Sequence, residues 1–251
     1  MLDYLETPGC RMEFLRRQLD DPEAAPCGRC DNCTGKYWGT TVSAEVVDAT
    51  EQRLQRPGLE IPPRKQWPTG MAKLEVQLSG KIAAGDQAEP GRALGRLTDV
   101  GWGGRLRELV GPGAKDGPVP DSVFKACIAV LASWKWAERP VAVVGIPSAT
   151  RPELTHDLAR RLAEIGRLDF LGMVDSAGSP PRRANSAQRL ADLTNRLSVS
   201  AELADAVSSV SGPILLVDDV IDTGWTATVA VRLLRRAGAP AVLPFALAST
   251  S

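Results

Sequence analysis

Histidine is almost missing from this sequence, with His156 alone among 251 residues. It lies far from the cysteines, so no imidazole competes with thiolate for a metal. Net charge is missing too, because 30 Lys and Arg balance 30 Asp and Glu. A globally basic surface for nucleic acid is thereby excluded, and any DNA contact has to come from local patches. No apolar run approaches the ~20 residues of a membrane helix, so no membrane partner is expected. The opening residues Met1-Leu2-Asp3-Tyr4-Leu5-Glu6 have neither the basic stretch nor the apolar stretch of a secretory signal. A G-x-x-x-x-G-K-[ST] loop is also lacking. The nearest string, Ser79-Gly80-Lys81-Ile82, has neither the earlier glycine nor a hydroxyl after the lysine. No ATP-driven motor is expected in these residues.

What is present is uneven. Of five cysteines, Cys10, Cys27, Cys30 and Cys33 crowd one end and Cys127 stands alone. A secreted disulfide framework is spread more widely and is normally even in number, so a reducing, cytoplasmic compartment is expected. Cys27-Gly28-Arg29-Cys30-Asp31-Asn32-Cys33 makes two C-x-x-C steps that share one cysteine. Such a turn lets two thiolates face one ion while backbone amides point at the sulfurs. Zinc takes four ligands in a tetrahedron, and Cys10 is the available fourth. Adventitious thiols are the bland alternative, but three cysteines in seven residues rarely make a core. With every position filled by protein, the zinc is expected to be structural rather than catalytic.

Three regions differ in character: 1–42, 43–118 and 119–251. In the first, Met12, Leu15 and Leu19 recur at helical spacing and Asp21-Pro22 ends the pattern. In the second, Ser43-Ala44-Glu45-Val46 reads as a capped helix start running to about Leu54. Leu74-Glu75-Val76-Gln77-Leu78 alternates like a strand, which predicts a small, partly β middle module. Gly111-Pro112-Gly113 and Gly117-Pro118 then read as a linker. The third region is regular. Helices are predicted over 123–136, 154–165 and 226–237, and buried strands over 141–146, 170–174 and 214–217. Apolar strands alternating with helices point to an α/β doubly wound parallel sheet. The fold class expected is thus multidomain: a small helical zinc module, the middle module, and the α/β domain.

The pair Cys10-Arg11, Leu15 after it, and the string from Cys27 to Cys33 resemble the zinc-binding subdomain of RecQ-family DNA helicases. That resemblance implies a C-terminal part of an ATP-dependent helicase that unwinds DNA in repair or recombination, with DNA as its partner. It places Arg11 near DNA; for Arg16 and Arg17 a solvated helix face is the expected reading. The motor is missing, and 43–118, where the family carries a winged helix, does not match one. Gln66-Trp67-Pro68 and Gly101-Trp102-Gly103-Gly104-Arg105 either present aromatics and bases to DNA or close a small core.

The second motif is Ile214-Leu215-Leu216-Val217-Asp218-Asp219-Val220-Ile221-Asp222-Thr223-Gly224-Trp225-Thr226. It reads as a buried strand, two acids at its end, a short loop and a helix start. A loop entering a helix N-terminus offers free amides and the positive end of the dipole to a phosphate. Two acids can accept hydrogen bonds from ribose hydroxyls or hold Mg2+ through water. The string resembles the phosphoribosyl pyrophosphate signature of type I phosphoribosyltransferases. That implies Asp218 and Asp219 on the ribose, and Asp222, Thr223, Gly224, Trp225 and Thr226 around the 5′-phosphate. Asp222 would be the general base in an active transferase, with Mg2+ accompanying the ligand. Pro147-Ser148-Ala149-Thr150-Arg151 is similar to the family's pyrophosphate turn, and Arg183–Leu190 to a mobile lid segment of ComF-like proteins. Trp225 is bulky for its position, and no hood for a base is visible. An active transferase fused to a zinc module, and a nucleotide-sensing or partner-docking module, are the other readings. Cys127, among Val123, Ile128 and Val130, is expected in the core, and His156 as a surface or satisfied structural histidine rather than a catalyst.

Overall fold

The computed structural model describes residues 2–37, 39, 41–54, 56–178 and 185–250. The chain divides into two units, Met1–Thr50 and Glu51–Ser251. The first contains α1 (Leu2–Glu6), α2 (Arg11–Gln18), α3 (Asp31–Thr34) and most of α4 (Ala44–Leu54). Cys10 caps α2, its Sγ accepting the Glu13 amide at 3.4 Å, and Ser43 caps α4 by accepting the Val46 amide. Cys10 is the single buried residue among those described in this unit. The expected apolar stripe of α2 is open to solvent: Met12, Leu15 and Leu19 are all exposed.

The second unit is built on a sheet. Its elements are β1 (Leu59–Ile61), β2 (Gly91–Arg96), α5 (Gly103–Val110), α6 (Asp121–Ser133), β3 (Ala142–Gly145), α7 (Pro152–Gly166), β4 (Asp169–Met173), β5 (Asp175–Ser176), α8 (Ser186–Arg196), β6 (Leu197–Ser198), α9 (Ala201–Ser208), β7 (Ile214–Ile221), α10 (Trp225–Arg236) and β8 (Val242–Ser249). Six strands form one mixed sheet in the order β1-β2-β8-β7-β3-β4, and β5 and β6 form a separate ribbon. Only β1 runs antiparallel to its neighbour in the six-stranded sheet. The pleat sorts side chains between two cores. Val143, Leu215, Val217, Leu243 and Phe245 pack with α5, α6 and α7. Ala142, Val144, Ile214, Leu216 and Val242 pack with α8, α9 and α10. Strands buried on both faces need the near-continuous apolar runs that 141–146 and 214–217 display. Each fully buried Leu or Val of these runs contributes about 1.5–3 kcal/mol relative to exposure.

Several expectations are corrected. The middle region is no module of its own: β1 and β2 belong to the main sheet, with β2 parallel to β8 from Arg92–Phe245 to Arg96–Ser249. No strand forms over 74–78. Residues Met71–Leu74 make a 3-10 turn, and Glu75 takes a left-handed φ of 59°. Packing overrides the alternation there, because Met71 is buried against the α8–α10 core. The strand predicted to end near Val217 continues to Ile221, because β8 offers eight residues to pair with it. The two acids therefore lie inside the strand rather than beyond its end. The linker is not loose either. Asp116 accepts the amides of Glu153 and Leu154 at 3.0 and 3.1 Å and so caps α7, and Val119 is buried. Cys127 is fully buried and His156 is exposed, its ring edge against Phe170. Among the described residues, no helix is long and apolar enough to cross a membrane.

Candidate functional site

The four cysteine sulfurs expected to share a metal lie within 4.8 Å of one another and are placed to hold an ion. Cys10 and Cys30 sulfurs are 3.9 Å apart. That matches the edge of a tetrahedron with bonds of about 2.3 Å, which is about 3.8 Å. Amides do point at sulfur: Cys27 N reaches Cys10 Sγ at 3.2 Å and Cys30 N reaches Cys27 Sγ at 3.3 Å. The amides of Cys27 and Glu13 lower the Cys10 thiol to about 6, so it is readily a thiolate ligand. Without a metal, hydrogen bonding to Cys30 pushes the Cys33 thiol up to about 12. A cation in the cluster favours the thiolate at each position.

The residues between the cysteines staple the unit together. Asp31 accepts both hydrogen bonds of the Arg11 Nε fork, at 3.0 and 3.2 Å, while Arg11 Nη1 donates to the carbonyls of Tyr4 and Leu5. Asn32 Nδ2 donates to Thr7 O and Gly9 O, both at 2.7 Å. Gly28 takes a φ of 69°, which a side chain would strain. Arg11 is thus committed to its own unit. Arg16 pairs with Asp21 at 2.6 Å and Arg17 with Glu13 at 2.6 Å.

In the second unit, β3 and β7 are parallel neighbours, so the turns that follow them open on the same edge of the sheet. The turn after β3 closes on Asp219. Ser148 Oγ donates to Asp219 Oδ2 at 2.8 Å, and Arg151 Nη2 and Nε donate to the same oxygen at 2.9 and 3.2 Å. Asp218 and Asp219 are 6% and 7% exposed. Burial, and then the charge of Asp219, push the Asp218 carboxyl well above the ordinary value. Asp218 lines a cavity of about 250 Å3 with Arg189, Asp222, Thr223 and Gly224.

The loop after β7 is open. Gly224 takes a φ of 76° and leads into α10, whose first hydrogen bond outside the helix interior runs from Thr228 N to Gly224 O at 3.0 Å. The amides of Trp225, Thr226 and Ala227 are the donors that a helix start leaves without an intrahelical acceptor. Asp222 is exposed, accepting from Thr250 Oγ1 at 2.7 Å and from Arg189 Nη1 at 2.8 Å. The Thr250 hydroxyl, then Arg189, hold its carboxyl below the ordinary value.

The bulk of Trp225, noted above as unusual for its position, is taken up by packing. It is buried, stacked on Trp67 at 6.3 Å, with the Arg64 guanidinium 4.3 Å above its ring. Arg64 also donates from Nε to Thr223 O at 2.7 Å. Sequence reasoning missed Arg64, Asp116 and Thr250, because each reaches the site from a distant segment with no motif of its own. Of the similarity noted for Arg183–Leu190, residues 183 and 184 lie outside the described residues. Asn185 caps α8 through a capping box with Gln188, and Arg189 reaches Asp222.

No protein-family model matches this chain, and no curated protein matches it.

Proposed function

We propose that this chain is the accessory C-terminal part of a RecQ-like DNA helicase, in which Met1–Thr50 folds around one zinc ion and Glu51–Ser251 binds a sugar phosphate without transferring it. Four sulfurs within 4.8 Å of one another suit zinc and leave no open coordination position, so the ion supports folding. ATP-dependent unwinding of DNA belongs, in this reading, to the full-length helicase. Arg11 is held by Asp31 and by two carbonyls of its own unit, so in this reading it supports the zinc module rather than gripping DNA.

The observation that carries the ligand reading is the contrast between two helix starts on one sheet edge. That of α7 is already occupied by the Asp116 carboxylate. That of α10 has no side-chain cap among the described residues and opens beside two cavities. An external phosphate fits the second and is excluded from the first. The closure of Ser148 and Arg151 onto Asp219, and the displaced titration of Asp218, argue against an ionised acid pair ready for ribose hydroxyls or Mg2+. One observation favours the transferase alternative: Asp222 is ionised and accessible where a general base would stand.

Calorimetry separates the two. Inorganic phosphate and ribose 5-phosphate should bind, and phosphoribosyl pyrophosphate with Mg2+ should bind no tighter than ribose 5-phosphate. Tight, Mg2+-dependent binding of phosphoribosyl pyrophosphate that Asp219→Asn abolishes would establish the transferase reading instead. Elemental analysis should find one zinc per chain.

A further inference from the structure

The larger cavity beside the loop belongs to none of the expected site residues' side chains except Asp222 and Thr223. It measures about 610 Å3, within the range of small-molecule sites, which is roughly 300–1,000 Å3. One wall is the loop Ile221–Gly224, and the other is the segment 59–66, on and after β1. That segment offers the apolar Leu59, Ile61, Pro62 and Pro63, stiffened by two prolines, together with Lys65, Gln66 and a Glu60 that pairs with Arg92. At its end stands Arg64. Its Nε is spent on Thr223 O and its plane lies on Trp225, while its two terminal nitrogens have no partner among the described residues. A guanidinium fixed in this way presents a planar pair of donors, the geometry that suits a phosphate. The smaller cavity, on the Asp218 side, is lined by acids and arginines that already pair with one another, Arg189 with Asp222 and Arg196 with Asp192.

We propose that the cavity between residues 59–66 and the loop 221–224 is the binding site for the body of a nucleotide-sized phosphate monoester, with Arg64 as a phosphate ligand beside the loop amides. The inference rests on the reading of the loop as a phosphate site and adds the direction in which the ligand extends. The phosphate lies at the loop, and the rest of the molecule turns away from Asp218 and Asp219 to lie on Leu59, Ile61 and the two prolines. A flat face on that body meets Leu59, Ile61 and the two prolines, while Lys65 and Gln66 on the same wall offer it polar partners. Arg64 couples the two halves: it holds the loop through Thr223 O and meets the phosphate with its free nitrogens.

Calorimetry with two probes tests this, inorganic phosphate and adenosine 5′-monophosphate. The nucleotide should bind at least about tenfold tighter than phosphate, a difference of about 1.4 kcal/mol. Pro62→Trp, at an exposed position on the cavity wall, should lower that ratio toward one. Arg64→Ala should weaken both probes, and Arg64→Lys should restore part of the phosphate affinity, which a purely structural arginine would not do. Methyl resonances of Leu59 and Ile61 should shift with the nucleotide and not with phosphate, a readout independent of any variant's folding. Equal affinities for the two probes, or methyl shifts confined to the Asp218 side, would overturn the cavity assignment while leaving the loop as a phosphate site. Absence of binding by either probe would overturn the loop reading and this inference together.

Discussion

Met1–Thr50 and Glu51–Ser251 are held together by opposite means. The first buries one described residue, Cys10, and its order comes from four sulfurs, an arginine–aspartate fork and an asparagine that ties two carbonyls. The second buries both faces of a six-stranded sheet in two apolar cores. A unit of some 50 residues whose described residues form no apolar interior depends on a staple, because too little surface is removed from water to offset chain entropy. The larger unit has a core of its own and needs no staple.

The largest effect expected is on that staple. Cys30→Ser, or treatment with a metal chelator, should abolish the order of the first unit and leave the second folded. Calorimetric unfolding should then retain one transition, that of the α/β unit. Loss of both transitions together would break the comparison. The mirror experiment is Leu158→Ala, at a fully buried position on α7. It should cost the second unit about 2–5 kcal/mol while zinc content stays at one per chain. A similar loss, about 3 kcal/mol, is expected from Arg151→Ala, which leaves the buried Asp219 without its cationic partner. Adding Asp219→Asn to that variant should recover part of it, read as a double-mutant cycle in urea.

A smaller effect has a definite sign. The folded Asp218 carboxyl titrates above its unfolded value, so the folded state favours the protonated form. Stability is therefore lost as pH rises from the unfolded value through the folded one. Asp218→Asn keeps an oxygen for the Asp219 amide and removes the charge. It should raise the melting temperature at pH 7 and raise it less at pH 4. A gain of equal size at both pH values would show that burial of the charge is not the cause. The smallest effect concerns Arg17, an exposed partner of Glu13 within one helix. Arg17→Ala should change neither zinc content nor the unfolding midpoint measurably, since such pairs contribute little.

Legibility in the sequence followed the distance between interacting residues. The cysteine cluster spans 24 positions of chain, and its ligand spacing is itself the signal. The loop 222–226 was readable for the same reason, since a strand, a left-handed glycine and a helix start are all local. The strand β8 was not anticipated. Pro244 sits in its middle, and proline in a run normally argues against a central strand. The sheet accommodates it because β2 begins pairing only at Phe245, and because Gly91, next to Pro244 O, has no Cβ to collide with it. The end of β7 was misjudged because its length is set by that unseen neighbour.

The sequence by itself determined which atoms can hold a metal, where the chain can turn into a helix with free amides, and which runs must be buried on both faces. Those properties depend on ligand identity, on backbone freedom at one glycine and on side-chain period, all carried by adjacent residues. Tertiary structure alone decided what each acid and each cation does. Arg151 reaches Asp219 across 68 positions and closes it. Arg64 reaches Thr223 across 159 positions and turns an open loop into one wall of a cavity. Charge interactions depend on separation and burial in space, and neither quantity is written in the spacing of residues along the chain.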